Sequence, residues 1–277
     1  MAERAREIRV EIIKMLAEAE SGHTAGALGA ADFFATMYFG GVLNVKKDEP
    51  YWSERDRLVL SCGHYAPVWY ASLSLAGFFP TDELKNLRKL GSRLQGHPVR
   101  QIEFPGSSYK QLPGVENTGG PLGQGVSIAV GMALAGKMEK KKWKVVCVLS
   151  DAEQQEGQTW EAYQAASKYS LGNLWLVIDR NEIQISGKLH EVMPIEPFEP
   201  LKEKLTAFGL RVMEVDGNNA GEIVSAFERG KLFSDQPKAI IMRTVPGKGV
   251  SFMESDYRWH GKAPTNEEAE RALLEFK

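Results

Sequence analysis

Apolar residues recur along this chain in two different rhythms. Ile8, Ile12, Met15, Leu16 and Ala19 return at helical spacing, which predicts an amphipathic helix over residues 3–20 that stops at Ser21-Gly22-His23. A second helix is expected around residues 30–42. Solid apolar runs of strand length occupy residues 57–61, 145–149, 174–178, 211–215 and 239–245. Helical character is expected over 65–90, broken by the turn at Pro80-Thr81-Asp82, where Thr81 or Asp82 would cap the next helix. Further helices are expected over 123–136, near 158–170, 200–208 and 219–230, and in a tail over 265–276. Alternation of strand and helix predicts an α/β fold, a parallel sheet flanked by helices on both faces. Residues 94–121 lack periodicity and are rich in Gly, Pro and Ser; a loop this long within a domain is more often functional than idle. The 194–200 stretch is a shorter loop, and no linker divides residues 1–277 into two domains.

Composition narrows the class. The 277 residues are 43% hydrophobic and 25% charged, ordinary for a globular protein with a sizeable core. A formal net charge of −2 argues against nucleic acid as the main partner, because no basic excess exists to replace phosphate counterions. The two cysteines, Cys62 and Cys147, make no disulfide framework and suit a reducing cytoplasm. No apolar run approaches the ~20 residues that span a bilayer, and the N-terminal helix lacks a signal-peptide core.

Two of the apolar runs close on hard oxygen ligands. Val145–Ser150 leads into Asp151-Ala152-Glu153-Gln154-Gln155-Glu156, and residues 174–178 lead into Asp179-Arg180-Asn181, with Asp151 thirty residues before Asn181. Neighbouring parallel strands share the crevice at their carboxyl ends, so Asp151 and Asn181 are expected to meet there. One carboxylate and one amide oxygen suit Mg²⁺ or Ca²⁺, and Mg²⁺ held this sparsely usually also carries a phosphate. Four of the five histidines adjoin glycine, in Gly22-His23, Gly63-His64, Gly96-His97 and His260-Gly261. All four lie in expected loops or element ends, where they fit the surroundings of an anionic cofactor as phosphate donors and acid–base groups. His190 lacks this setting. Neither HExxH nor CxxC spacing is present, which disfavours zinc.

Thr118-Gly119-Gly120-Pro121-Leu122-Gly123-Gln124-Gly125 precedes a helix of small residues that would pack close to a neighbour, on the steric ground known from membrane helices. The loop is neither a Walker loop nor a strand-led GxGxxG, and its link to a helix N-terminus favours anions. Glu153 and Glu156 would at least place favourable charge at the start of the following helix, about 0.3–1 kcal/mol each.

These segments resemble, in order and over nearly the whole chain, the N-terminal half of the transketolases: Ser21-Gly22-His23, Ser61-Cys62-Gly63-His64, Leu90 to Pro98, Gly120 to Gly125, Gln155-Glu156-Gly157-Gln158, Asp179-Arg180-Asn181 through Gly187, and His260-Gly261. The resemblance implies a single thiamine diphosphate-binding domain, with the pyrimidine-binding and C-terminal domains absent from this chain. It implies thiamine diphosphate and Mg²⁺ or Ca²⁺ as cofactors, and transfer of a two-carbon ketol unit between sugar phosphates, as in the pentose phosphate pathway. Asp151, the Asn181 side chain and the Ile183 carbonyl would ligate the metal. His64 and His260 would contact the diphosphate, beside Ala152, and Gly120 and Leu122 the cofactor ring. His23, His97 and His260 would face the reacting carbons, and Glu156 would join a buried acidic link between paired sites. The chain would be the N-terminal subunit of a split enzyme, active only with a C-terminal partner chain in a cytoplasmic α₂β₂ assembly.

The chain departs from the family's pattern at three places. Ser150-Asp151-Ala152 replaces Gly-Asp-Gly, and a required positive φ at Ala152 would cost about 1–2 kcal/mol. Thr24-Ala25 replaces Pro-Gly after His23, and Ser186 replaces an aspartate. Alternatives include a transketolase-like enzyme for an unusual sugar phosphate, a deoxyxylulose-phosphate synthase relative, a 2-oxo acid dehydrogenase α chain, and a degenerate, non-catalytic binding partner. The histidines and the Leu90–His97 segment favour transketolase over the oxo-acid enzymes.

Overall fold

The structure, a computed structural model, describes residues 1–100, 111–196 and 200–277. Residues 101–110, inside the expected 94–121 loop, and 197–199, inside the 194–200 loop, lie outside the described residues. The chain begins with α1 (Ala2–Ala19), α2 (Ala25–Gly29) and α3 (Ala31–Phe39), then β1 (Arg57–Leu60) and α4 (Ala66–Leu75). After the glycine-rich loop come α5 (Gln124–Met138), β2 (Val145–Ser150), α6 (Gly157–Lys168) and β3 (Leu174–Arg180). A small hairpin of β4 (Ile183–Gln184) and β5 (Gly187–Lys188) precedes α7 (Leu189–Val192) and α8 (Leu201–Ala207). The chain closes with β6 (Arg211–Asp216), α9 (Ala220–Gly230), β7 (Lys238–Arg243) and α10 (Asn266–Leu274).

The five long strands form one all-parallel sheet in the order β1-β2-β3-β7-β6. Strand alternation sorts its side chains between two cores. Leu58, Leu60, Val146, Val148, Val177, Ile240 and Met242 face α1, α3, α4, α9 and α10, where Ile8, Phe33, Trp69 and Phe227 are buried. Val59, Val145, Cys147, Leu149, Leu176, Ile178 and Ile241 face α5, α6 and α8, with Val126, Tyr163 and Leu205. Both faces of the inner strands are therefore apolar, which is why their sequences read as solid runs.

Differences from the expected elements have local causes. β3 continues two residues past the apolar run because Asp179 and Arg180 pair with Met242 and Arg243 of β7. β7 stops at Arg243, and the Val245 N–H turns instead to the Asn218 side chain. The 65–90 segment holds only α4 and a 3-10 turn at Thr81–Asn86, which no side chain caps; Thr81 Oγ1 instead accepts from Ser74 Oγ. α2 has no apolar periodicity to announce it, since Gly26 and Gly29 are two of its five residues. They are there for close contact: a Cβ on Gly26 would lie 2.3 Å from the Tyr65 ring, and one on Gly29 2.9 Å from the Val245 carbonyl oxygen.

Candidate active site

The carboxyl ends of β1, β2 and β3 lie side by side, and each hands the chain to one part of the site. β1 runs into Ser61-Cys62 and a 3-10 turn at Gly63–Tyr65 that carries His64. β2 ends at Ser150 and turns at Asp151. β3 delivers Asp179 and, one residue beyond its end, Asn181.

The four glycine-flanked histidines converge. The His23 ring centroid lies 5.2 Å from that of His64, 6.1 Å from His97 and 5.7 Å from His260, and His64 is 5.2 Å from His260. The adjacent glycines make room for this. A Cβ on Gly63 would sit 2.9 Å from the Gly120 backbone nitrogen and 3.0 Å from the His97 ring, which brings the glycine-rich loop against the cluster. One on Gly261 would lie 2.3 Å from Ile185 Cδ1 and 3.8 Å from the His23 ring. Thr24 Oγ1 donates to the Lys262 carbonyl and ties the His23 loop to the His260 loop. Leu122 is half-buried beside this loop, its carbonyl accepting from Gln158. His190 is exposed and makes none of these ring contacts.

Burial, then the neighbouring His260, Arg88 and His97 charges, lower His23 to about 4, and burial alone lowers His260 to about 4. His64 is driven well below its usual range, first by burial, and His97 is lowered too. The imidazoles are therefore neutral near pH 7, each with one donor and one acceptor nitrogen. His23 Nδ1, His64 Nε2 and His260 Nδ1 are buried without a hydrogen-bond partner. A buried polar atom left unpaired costs about 1–3 kcal/mol, so three around one space mark a place built for a polar ligand.

Asp151 has no solvent exposure, and burial raises its carboxyl to about 8 against the opposing pull of its N–H donors. Its two oxygens accept from the Glu182 N–H at 2.6 Å and the Ala152 N–H at 2.8 Å. The first of these bonds joins the turn after β2 to the loop carrying Asn181, so the two residues do share one crevice. Asn181 Oδ1 accepts from the Ile183 N–H at 3.0 Å, which closes the loop on itself. Among the described residues no three His, Cys, Asp or Glu side chains are disposed to hold a metal. A cation here would draw on mixed oxygen donors, and Asp151 with the Asn181 and Ile183 oxygens is such a set.

Ala152 opens a 3-10 turn and is not among the residues with positive φ, so the expected alanine strain is absent. The strained position is Glu182, at φ +64°. Of the two glutamates, only Glu153 departs from the reading as charge at a helix start. Glu153, expected as charge at a helix start, has no exposure; its carboxylate accepts from Ser61 Oγ, the Gly123 N–H and the Ser150 N–H, joining β1, the glycine-rich loop and β2. Glu156 is half-buried at the start of α6 and makes no side-chain cap bond.

Sequence reading did not single out Tyr65 or Thr244 and gave Asp179 no role beyond its motif; Tyr65 and Thr244 both donate to Asp179 beneath Asn181. Asp179 had a usable signal. It follows directly on a run that is buried on both faces of β3, and an acid there must be paired.

A family model described as "Transketolase, thiamine diphosphate binding domain" matches residues 2–276. An apulose-4-phosphate transketolase subunit of Phocaeicola vulgatus is 36% identical, over 96% of this chain and 90% of that protein. The 6-deoxy-6-sulfo-D-fructose transketolase subunit SqwG of a Clostridium species is 39% identical, over 92% of this chain and 88% of that protein. Human transketolase is 36% identical over 98% of this chain, which spans 41% of its length. The solved transketolase of Leishmania mexicana superposes with a TM-score of 0.88 at 30% identity, over 99% of this chain and 41% of that one. With its sheet, its histidine cluster and these relatives in agreement, the chain belongs to the transketolase family, as its thiamine diphosphate binding domain.

Proposed function

We propose that this chain is the diphosphate-binding subunit of a two-chain transketolase-type enzyme that moves a two-carbon ketol unit between sugar phosphates. The observation that carries the reading is the convergence of four imidazoles from four separate loops, three with buried unpaired nitrogens, beside the buried carboxylate of Asp151. Thiamine diphosphate, when bound, supplies the carbon centre that accepts the ketol unit.

The chain's residues do the rest. Asp151, the Asn181 amide oxygen and the Ile183 carbonyl hold a divalent cation, taken here as Mg²⁺ with Ca²⁺ as the other fitting ion. The cation supplies the charge that a fully buried carboxylate lacks. His64 and His260 offer neutral N–H groups to the diphosphate, next to the Ala152 backbone. Gly120 and Leu122 lie against the cofactor ring. His23, His97 and His260 face the substrate, holding hydroxyls and passing protons from the neutral state that burial enforces. Glu156 is the residue through which an acidic link between two sites would run.

Two features support a second chain. The two relatives of similar length described above are named as subunits. α5, apolar almost all round, leaves Ile128 and Gly131 exposed along with Ala135, a face that the other chain of the proposed α₂β₂ assembly would cover. The substrate class favoured is an unusual sugar phosphate or sulfo-sugar, because those are the substrates named for the two relatives above.

The test is ketol transfer from a panel of ketose donors, by this chain alone and with its partner subunit. The chain alone is expected to show essentially no turnover, with activity restored by partner, thiamine diphosphate and Mg²⁺. Asp151→Ala is expected to abolish saturable cofactor binding. Robust turnover without a partner would refute the two-chain reading, and an unaffected titration would remove Asp151 from the metal site.

A further inference from the structure

Beneath the loop that carries Asn181 lies a buried polar cluster that the proposed chemistry does not use directly. Asp179 has no solvent exposure and its carboxylate takes three side-chain donors. Thr244 Oγ1 donates to Oδ1, while the Tyr65 hydroxyl and Asn181 Nδ2 (3.1 Å) donate to Oδ2. Asn181 Nδ2 also donates to the Tyr65 hydroxyl oxygen at 2.7 Å. Both N–H bonds of the amide are thus committed to one side, and its oxygen is turned the other way, where it accepts from the Ile183 N–H with one lone pair to spare.

The direction of this amide is a matter of electrostatics. Turning it over would set its carbonyl oxygen against a fully buried carboxylate and leave two buried N–H groups facing Ile183 N–H. Each change is costly in a low-dielectric interior. Three elements hold the arrangement: the turn after β1 supplies Tyr65, the end of β3 supplies Asp179, and the residue after β7 supplies Thr244. Tyr65 is itself locked, its ring covering Gly26, where a Cβ would lie 2.3 Å from it.

We propose that Tyr65, Asp179 and Thr244 are positioning residues that fix the Asn181 amide with its oxygen presented to a divalent cation. The proposal rests on the reading of Asn181 as a metal ligand. Carboxylates and hydroxyls behind a metal ligand commonly change metal affinity 10- to 100-fold when removed.

The experiment titrates Mn²⁺, as the probe, into the full chain with thiamine diphosphate, following water-proton relaxation. The wild type is compared with Tyr65→Phe, Asp179→Asn, Asn181→Ala and Asp151→Ala, and the unfolding midpoint of each metal-free protein is recorded alongside. Tyr65→Phe, which keeps the ring over Gly26, is expected to weaken Mn²⁺ about tenfold while the metal-free protein remains folded, its midpoint lowered by the loss of one buried hydroxyl. Asp179→Asn is expected to weaken it at least as much. In the Asn181→Ala background, Tyr65→Phe is expected to add nothing, because a residue acting only through the amide has no effect once the amide is gone.

If Asp151→Ala and Asn181→Ala weaken binding but Tyr65→Phe and Asp179→Asn stay within about twofold of wild type, against the tenfold expected, the positioning role is refuted and the metal site stands. The positioning role fails as well if Tyr65→Phe weakens Mn²⁺ equally with and without Asn181. Unaltered binding in Asp151→Ala and Asn181→Ala, or no binding by wild type, overturns the metal reading and this inference with it.

Discussion

The four imidazoles carry a pH dependence of known sign. Burial holds His23 and His260 at about 4, and His64 and His97 are lowered as well, whereas each would titrate near its ordinary value of about 6.5 in the unfolded chain. Between those values these imidazoles bind more protons in the unfolded chain than in the folded one, so the stability they contribute is fully present above about pH 6.5 and is lost as the pH falls toward about 4. Arg88, whose guanidinium donates to Ser21 Oγ, adds its charge to those disfavouring a protonated His23. Asp151, whose carboxyl burial raises to about 8, contributes with the opposite sign over the same range, so the histidine part is read as a difference: from about pH 7 to about pH 4.5 the unfolding midpoint of the metal-free chain is expected to fall relative to that of a His23→Gln, His260→Gln double variant. An identical slope would assign the protons to other groups. Glu182 marks a second kind of residue-scale constraint. Its left-handed backbone, at φ +64°, costs roughly 1 kcal/mol in a non-glycine residue, yet it turns the Glu182 N–H onto Asp151.

Within single elements, α5 shows how small residues serve two opposite surroundings. Gly125 faces the end of β1, where a Cβ would lie 2.4 Å from Ser61 Cα, a backbone atom that cannot step aside. Gly125→Ala is expected to destabilise the chain by about 1–3 kcal/mol and to displace the glycine-rich loop that α5 anchors. Gly131, on the same helix, has nothing within 4 Å of where a Cβ would sit, so Gly131→Ala should be neutral or stabilising by up to about 1 kcal/mol through helix propensity. Urea unfolding of the two variants checks both signs together. Equal effects would mean that packing against Ser61 is not what requires glycine.

Across the whole molecule, the sheet puts every proposed ligand at one rim. β1, β2, β3 and β7 end beside one another, and four loops of unrelated sequence supply the histidines. The opposite surface of α5 remains open, with Ile128 at 39% exposure. In the proposed two-chain enzyme that face is covered, so Ile128→Glu is expected to leave the unfolding midpoint of this chain unchanged while shifting the mixture with its partner to smaller species in sedimentation. An undisturbed assembly would place the contact elsewhere.

The order of the elements, the buried strands and the four histidines could be read directly from the residues, because period-2 and period-3.6 patterns and glycine neighbours are local properties. The family resemblance rested on motifs of the same local kind. Tertiary structure alone decided what those residues meet. It turned Glu153 from a charge at a helix start into a buried tie, because Ser61 and Gly123 reach it from distant parts of the chain beside the nearby Ser150 N–H. It left Ala152 out of the left-handed region and placed Glu182 in it. It also set Tyr65, Asp179 and Thr244 around one amide. Local sequence patterns fix which face of an element is apolar; the direction of a buried hydrogen bond depends on partners far away in the chain, and only the packed sheet brings them together.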